Sequence, residues 1–240
     1  MTQRDPILNR RATLPPEWAR SIMGRRSETQ RMLRLLFALG FALAALPAQA
    51  MQFRLVQSAG QVAVLATGAI GPGDADRLAA ALRRATRDRH GTKELLISSV
   101  GGVVAEAWAM ADVINQVGVT TIVPAGSLCA SACASVVFVA GKYRTIQKGG
   151  QLAIHSCFDD RNGQKMDDCD ALISARAEQE GISGRAMMAF QEMAPGPDSA
   201  IVFDPANAAC FGLTRAPGKA SLGDRAPCIV QAMKAAKRRR

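Results

Sequence analysis

Short blocks of apolar and polar residues alternate from residue 53 onward and predict strands and helices in turn. Residues 53–70 predict two strands around the turn Ser58-Ala59-Gly60, and residues 94–98 predict a buried strand. Over residues 103–117, apolar residues recur every three or four positions, which is the spacing of an amphipathic helix. The first half of the pattern already contains elements of both kinds.

The same alternation extends to residue 211. The further predicted strands are residues 120–123, 143–146, 152–154 and 201–203, and the further predicted helices are residues 74–85, 130–139, 169–179, 184–193 and 205–211. We expect Asp74 to cap the first of these helices and residues 126–129 to form a turn. Strands followed by turns and helices in this order predict a single α/β domain with mostly parallel strand pairing.

An uncharged apolar run occupies residues 35–46, between Arg34 and the small-residue site Ala48-Gln49-Ala50. This order of basic, apolar and small residues is that of a secretory signal peptide. At about 1.5 Å per residue the run is too short to cross a hydrocarbon core of about 30 Å, so an uncleaved anchor is the weaker alternative. We predict that residues 1–50 are a signal peptide with an extended N-terminal region, cleaved after Ala50, and that the folded protein is periplasmic or secreted.

The formal net charge of +10 first suggests a nucleic-acid or membrane-surface partner. Residues 1–50, however, hold 8 basic and 3 acidic side chains, and residues 234–240 hold 5 basic ones. The body, residues 51–233, is therefore neutral and has no general electrostatic reason to bind nucleic acid. We expect residues 234–240 to be a solvated basic tail; binding of an anionic surface by this tail is an alternative.

All six cysteines follow residue 50, and an even number in an exported chain predicts disulfides. Of the fifteen possible full pairings we favour Cys157 with Cys169 and Cys210 with Cys228, since each would close a short loop. For Cys129 and Cys133, oxidation or packing is the better interpretation than a nucleophilic role. A zinc site is disfavoured because the chain has no CxxC motif and two histidines, so we predict no metal and no cofactor.

Polar groups follow three of the predicted strands, in residues 98–102, 129–133 and 154–156. Sites gather at the carboxyl ends of strands in α/β folds. A serine hydrolase needs a hydroxyl at a turn or helix start, a neutral imidazole to accept its proton, and backbone N–H groups for the oxyanion. Ser131 and His155 supply the first two, while Gly101 and Gly102 let a substrate approach the backbone.

With these residues the chain resembles the Clp-type serine peptidases and the wider ClpP/crotonase superfamily, from about Val62 to Leu213. The segments that carry the resemblance are Ser99-Val100-Gly101-Gly102 for the family's S-P-G-G turn, Ala130-Ser131-Ala132 for its nucleophile helix, Ile154-His155 for its strand-borne histidine, and Phe211-Gly212-Leu213 for its Y-G-L. Val100 departs from the family by replacing the proline of the turn. The resemblance implies a ClpP/crotonase-like spiral of strand-strand-helix units.

The resemblance also implies site roles. Ser131 would be the nucleophile, His155 the general base, and the N–H groups of Gly102 or Gly101 together with Ala132 the oxyanion hole. The family's acidic third member would fall near residue 200, where this chain has Ala200. Asp198 is the nearest acid and our candidate, with Asp204 second, although Asp204 before a proline is also a good helix cap.

We therefore expect an exported serine peptidase-like hydrolase that cleaves polypeptides, nearest to periplasmic ClpP-like proteins. Export excludes an ATP-driven unfoldase as a partner, and the family's rings imply a homo-oligomer. A related branch, the signal peptide peptidases, uses a Ser-Lys pair, for which Lys142 and Lys148 are the nearby lysines. The alternative is a non-catalytic binding or assembly module, of which the missing acid near residue 200 would be a symptom.

Overall fold

Strands and helices alternate along residues 51–159 and 161–238, the part of the chain that the computed structural model describes. The strands are β1 Gln52–Ser58, β2 Gln61–Thr67, β3 Lys93–Ser98, β4 Val119–Val123, β5 Leu128–Ala130, β6 Tyr143–Ile146, β7 Gln151–Ile154 and β8 Ile201–Phe203. The α-helices are α1 Asp74–Arg84, α2 Val104–Val117, α3 Asp167–Gln179, α4 Gly184–Met193, α5 Pro205–Cys210 and α6 Pro227–Arg238. A π-helix, Cys133–Phe138, and two short 3-10 helices, Pro197–Ser199 and Gly223–Arg225, complete the described elements. The prediction of an α/β fold is confirmed.

The strands form two sheets. One has the order β1-β2-β3-β4-β6 and the other the order β5-β7-β8. Pairing is parallel except at β1 with β2 and at β7 with β8. From β4 onward, each unit gives one strand to each sheet and then a helix: β4 and β5 precede the π-helix, and β6 and β7 precede α3. This is the strand-strand-helix order that the resemblance implies, and the described residues belong to one compact unit.

The core lies between the larger sheet and the helices. Leu78 and Leu82 of α1 and Met110 and Ile114 of α2 are fully buried, each pair one helical turn apart. Burying a side chain of this size contributes about 1.5–3 kcal/mol, so these four positions explain why the two segments dock as helices. The opposite face of α1 carries Arg83 and Arg84 into solvent, as its arginine-rich sequence predicts.

The prediction of one helix over residues 130–139 is wrong. Residues 128–130, expected as a turn running into that helix, form strand β5, and the helical segment that follows is the π-helix. All six residues of the π-helix are buried, so the segment has no polar face whose period would mark its start. Pairing of β5 with β7, a tertiary contact, decides the boundary.

Asp74 is also not the helix cap that its sequence position predicts. Gly73, with φ of 83°, holds the N-cap position, and Asp74 is the first residue of α1. The Asp74 carboxylate is fully buried and accepts a hydrogen bond of 2.7 Å from the Gly71 N–H, while Arg77 pairs with its other oxygen. The acid therefore closes the preceding turn instead of capping the helix.

The two favoured disulfides, Cys157–Cys169 and Cys210–Cys228, are confirmed. A third joins Cys129 to Cys133, so oxidation is the outcome for that pair, and the described residues contain no free cysteine. Three disulfides are consistent with an oxidising compartment. The predicted signal peptide, residues 1–50, lies outside the described residues.

The last described helix, α6, contains most of the predicted basic tail. Helix α6 continues to Arg238, so the basic residues from Lys234 to Arg238 of the predicted tail are helical. Lys234 is exposed on this helix.

Within residues 51–159 and 161–238, no helix combines the length and the hydropathy that crossing a membrane would require.

A buried arginine ties the end of the π-helix to the rest of the fold. The Arg144 guanidinium donates to the carbonyl oxygens of Val139, Gly141 and Leu213 at 2.9–3.1 Å. Burial, with a smaller contribution from nearby Arg215, lowers the pKa of Arg144 to about 10, so the side chain remains charged at neutral pH. Arg144 thus satisfies the Val139 and Gly141 carbonyl groups, which follow the π-helix.

Candidate active site

Ser131 occupies a sharp turn between a strand and a helix. Strand β5 ends at Ala130, Ser131 has φ of 57°, and helical geometry begins at the next residue. A left-handed backbone costs a residue other than glycine about 1–3 kcal/mol and persists only where its surroundings enforce it. Such a turn after a strand lifts a serine hydroxyl above the sheet, as in the nucleophile elbow of α/β-hydrolases.

Bonds on both sides hold this turn. The Ser131 N–H donates to the carbonyl of Ala153 in β7 at 2.8 Å, and the Ser131 carbonyl accepts from the Ser135 N–H at 2.9 Å and from its hydroxyl at 3.0 Å. The disulfide Cys129–Cys133 spans the turn, with Cα atoms 5.3 Å apart and both residues fully buried. Backbone bonds and a covalent link thus enforce the left-handed conformation at Ser131.

Gly101 and Gly102 lie directly against this turn. A Cβ atom at Gly101 would lie 2.6 Å from the Ser131 Cβ and 2.7 Å from the Ala130 carbonyl oxygen, and a Cβ at Gly102 would lie 2.2 Å from the Ile70 carbonyl oxygen. Their φ angles of 94° and 145° also favour glycine. The two glycines are therefore required by close backbone approach.

Two N–H groups near Ser131 are available to a ligand. The Gly101 N–H donates to the Ser99 hydroxyl at 3.1 Å. Among the described residues, neither the Gly102 N–H nor the Ala132 N–H has an acceptor within the protein. The sequence left Gly101 and Gly102 as alternatives for an oxyanion donor, and the geometry favours Gly102 because the N–H of Gly101 is already used.

His155 leaves the sheet beside Ser131. Strands β5 and β7 are parallel, with Ala130 opposite Ala153, so the residues that follow them emerge at the same edge. His155 as a residue is 8% exposed, and its Nδ1 lies 2.7 Å from the Ser156 carbonyl oxygen. Because a carbonyl oxygen only accepts, Nδ1 carries the proton in the neutral ring and Nε2 remains free to accept one.

A pocket of about 440 Å³ joins these groups. Ser131, Ala132, His155, Gly101 and Gly102 all line it. The other lining residues are uncharged, and they are Ala69, Val100, Val103, Val104, Ser135, Ser156, Cys157, Phe158, Ile173 and Pro197. The structure thus brings the predicted nucleophile, base and backbone donors into one neutral pocket.

Within the described residues no hydrogen bond joins the Ser131 hydroxyl to His155. Catalytic hydrogen bonds are often long or poorly aligned in unliganded sites and shorten when a substrate binds. The pocket therefore holds the two groups in an unengaged arrangement.

Neither acid proposed from the sequence is the partner of His155 Nδ1. Asp198 is exposed in the 3-10 helix Pro197–Ser199, and a backbone carbonyl stands where its carboxylate was expected. Asp204 caps α5, accepting from the Asn207 N–H at 2.7 Å. The carbonyl of Ser156, the residue that follows His155, occupies the position beside Nδ1.

An acid that the sequence reasoning missed lies below the His155 segment. Asp170, in the first turn of α3, is fully buried. It accepts hydrogen bonds from the Ser156 hydroxyl at 2.8 Å, the Cys157 N–H at 2.8 Å and the Gln191 side-chain amide at 2.9 Å. The sequence held one indication of this contact, because the favoured disulfide Cys157–Cys169 places residue 170 next to residues 156 and 157.

The second histidine has a different environment. His90 is exposed in a turn, where its Nε2 accepts from Arg89 at 3.1 Å, and it does not line the pocket. In the part of the chain that the structure describes, no three His, Cys, Asp or Glu side chains are grouped to hold a metal ion. His155 is thus the histidine that the fold places beside Ser131.

No family model matches the chain, and no curated protein matches it. Among solved structures, the chain is similar to the ClpP protease catalytic domain from Plasmodium falciparum, with 19% sequence identity, a TM-score of 0.46, and coverage of 61% of this chain and 78% of that one.

Proposed function

We propose that this protein is an exported serine hydrolase that cleaves polypeptides, with Ser131 as nucleophile and His155 as general base. The observation that supports the proposal is the convergence in one pocket of a serine in an enforced left-handed turn, an imidazole with Nε2 free, and two N–H groups without internal acceptors. Polypeptides as the substrate class follow from the resemblance of the sequence segments.

Each group has one step in the proposed reaction. The Ser131 Oγ attacks the carbonyl carbon of a peptide bond while its proton passes to His155 Nε2. The N–H groups of Gly102 and Ala132 stabilise the negative charge on the former carbonyl oxygen. His155 then donates the proton to the leaving amine, the C–N bond breaks, and water releases the acyl group from Ser131 by the reverse sequence.

The pocket walls suggest what the acyl side of the substrate carries. Apart from His155, no acidic or basic side chain is among its lining residues, and Val100 and Val103 are 68% and 46% exposed beside the glycine turn. Exposed apolar side chains at a site gain stability when a ligand covers them. We propose that the site prefers a small apolar side chain at the position that is acylated.

Export sets the conditions for this activity. The three disulfides agree with an oxidising compartment, and we propose that residues 1–50 direct the chain there. Outside the cytosol no ATP-driven unfoldase would supply substrate, so we expect cleavage of unfolded or flexible segments. We further expect a homo-oligomer, which sedimentation of the oxidised protein tests.

Labelling with an active-site-directed fluorophosphonate tests the proposal on purified, oxidised residues 51–240. We expect a single adduct on Ser131, identified by mass spectrometry of the peptides. Ser131→Ala and His155→Ala should each abolish labelling and peptide hydrolysis, because the nucleophile and the base act as a unit.

Ser127→Ala is the matched control, since Ser127 precedes the same strand but does not line the pocket. It should label like the unmodified protein. A folded and fully oxidised protein that resists the probe would contradict the proposal.

A second candidate is a non-catalytic binding module with the same pocket. The observations that favour it are the missing hydrogen bond between Ser131 and His155 and the exposed position of Asp198. Such a module would bind peptides with equal affinity in the unmodified protein and in Ser131→Ala, and would not react with the probe. Isothermal titration with a library of short apolar peptides, run beside the labelling, separates the two.

A further inference from the structure

The buried carboxylate of Asp170 makes its hydrogen bonds to the segment that follows His155. Its Oδ1 atom accepts from the Cys157 N–H at 2.8 Å, and its Oδ2 atom accepts from the Ser156 hydroxyl at 2.8 Å. The Ser156 hydroxyl also lies 2.8 Å from the Gln191 carbonyl oxygen, but it has one proton, and a carboxylate is the stronger acceptor. Asp170 therefore binds two successive residues of this segment.

One peptide group connects this carboxylate to the imidazole. The Ser156 carbonyl and the Cys157 N–H belong to the same planar unit, so fixing one end fixes the direction of the other. The N–H end points at Asp170 Oδ1, and the carbonyl end lies 2.7 Å from His155 Nδ1. Hydrogen bonds in such a chain polarise one another, and a negative charge at the N–H end makes the carbonyl oxygen a stronger acceptor.

The surroundings keep Asp170 in this position. The disulfide Cys157–Cys169 links the residues adjacent to Ser156 and Asp170, which holds α3 against the His155 segment. Gln191, fully buried on α4, donates to Asp170 Oδ1 at 2.9 Å. Lys165 Nζ lies 3.6 Å from Asp170 Oδ2, so the buried carboxylate also has a cation beside its second oxygen.

We propose that Asp170 is the orienting acid of this site and acts on His155 through the Ser156–Cys157 peptide group. It is a positioning residue: it holds the Nδ1–H tautomer and stabilises the imidazolium that forms when Nε2 accepts the Ser131 proton. It takes the role that the sequence assigned to Asp198. The effect on catalysis rests on the proposed function, whereas the orientation of His155 by Asp170 does not depend on it.

The test compares Asp170→Asn with Asp198→Asn in oxidised residues 51–240. Both changes remove one charge and keep the side-chain shape, and Asp198 is the exposed control. We expect Asp170→Asn to slow fluorophosphonate labelling of Ser131 by at least about tenfold, within the range of general-base effects, and Asp198→Asn to stay within about twofold. Equal labelling rates in the two variants would overturn the proposal.

A spectroscopic readout separates orientation from a merely structural role. The chain has two histidines, so ¹H–¹⁵N correlation spectra of the imidazoles are simple, and His90→Gln assigns them. We expect the Nδ1–H tautomer for His155, with a proton resonance that moves upfield in Asp170→Asn. A structural role alone would lower the melting temperature of that variant and leave the resonance in place, and that result would overturn the proposal.

If Asp170→Asn does not fold, measurements on the unmodified protein test the proposal. Scalar couplings across hydrogen bonds, from Cys157 N–H to the Asp170 carboxyl carbon and from His155 Nδ1–H to the Ser156 carbonyl carbon, would support the relay. An Nε2–H tautomer would overturn it. Failure of the unmodified protein to label, with both couplings present, would defeat the proposed function and leave the orientation of His155 by Asp170 standing.

Discussion

The two halves of the candidate site are held in place by different means. The nucleophile turn, residues 129–133, is fixed by backbone hydrogen bonds, a disulfide that spans four positions, and close packing against Gly101. The base segment, residues 155–158, is fixed by the Asp170 carboxylate of α3 and the Gln191 carbonyl of α4, which are 14 and 35 residues from Ser156 along the chain. The nucleophile half should therefore be sensitive to added volume, and the base half to lost charge and hydrogen bonds.

We expect Gly101→Ala, which alters the nucleophile half, to give the largest loss of labelling rate. The new Cβ would lie 2.6 Å from the Ser131 Cβ and 2.7 Å from a backbone oxygen, at a φ of 94° that alanine rarely adopts. Displacing a reacting group by about 1 Å costs about 100-fold in rate, so fluorophosphonate labelling should fall by about that factor.

Gly71→Ala is the control, because nothing lies within 4 Å of a Cβ at that position. It should label at the unmodified rate. Labelling of Gly101→Ala at more than a tenth of that rate would show that the turn adjusts, and that the nucleophile half is not held rigidly by close packing.

We expect that removing the disulfides one at a time, by paired Cys→Ala changes, ranks the three variants in opposite orders for the loss of unfolding free energy and the loss of labelling rate. The sequence separations are 4, 12 and 18, and the loop-entropy relation predicts a loss of about 2 kcal/mol for the shortest loop and about 3 kcal/mol for the others. Labelling should instead fall most, by about tenfold, without Cys129–Cys133, which spans Ser131.

The pair Cys210–Cys228 joins α5 to α6 and does not line the pocket, so its removal is the control for labelling. Urea titrations supply the free energy of unfolding. If stability and labelling decline in the same order, the disulfide at Ser131 acts through global stability and the local fixation of the nucleophile turn is refuted.

The smallest effect is expected from Asp204→Ala. Asp204 caps α5, and loss of a cap costs about 1 kcal/mol of stability. Labelling should stay within about twofold of the unmodified rate, since its carboxylate bonds to Asn207. A tenfold loss of labelling at a temperature where the variant is folded would reassign the orienting acid to Asp204 and remove Asp170 from that role.

The nucleophile half was more predictable than the base half, for a physical reason. The glycine pair, the cysteines around Ser131 and the strand before His155 are local patterns, and each constrains the backbone where it stands. Asp170 is an ordinary first-turn acid of a helix in the sequence, where acids favour the helix dipole. Its role becomes visible once the loop between residues 157 and 169 closes and brings its carboxylate against the peptide group after His155.

The boundary between β5 and the π-helix likewise depends on contacts between segments that are remote in the sequence. Residues 128–139 are mainly small or apolar, and a segment buried on all sides shows no period that separates strand from helix. The strand forms because its backbone pairs with β7, and that pairing in turn sets the left-handed turn at Ser131. The feature that makes Ser131 a candidate nucleophile is therefore a product of the tertiary structure.

By itself the sequence determined the α/β class, most of the helix and strand positions, two of the three disulfides, and the residues Ser131 and His155 as candidates. Each of these follows from short-range patterns of volume, polarity and backbone preference. The tertiary structure alone decided which N–H groups remain free, which group meets His155 Nδ1, and which carboxylate is buried behind it. Hydrogen-bond partners are chosen by distances of about 3 Å between segments that are remote in the chain, and a sequence does not specify such distances before it folds.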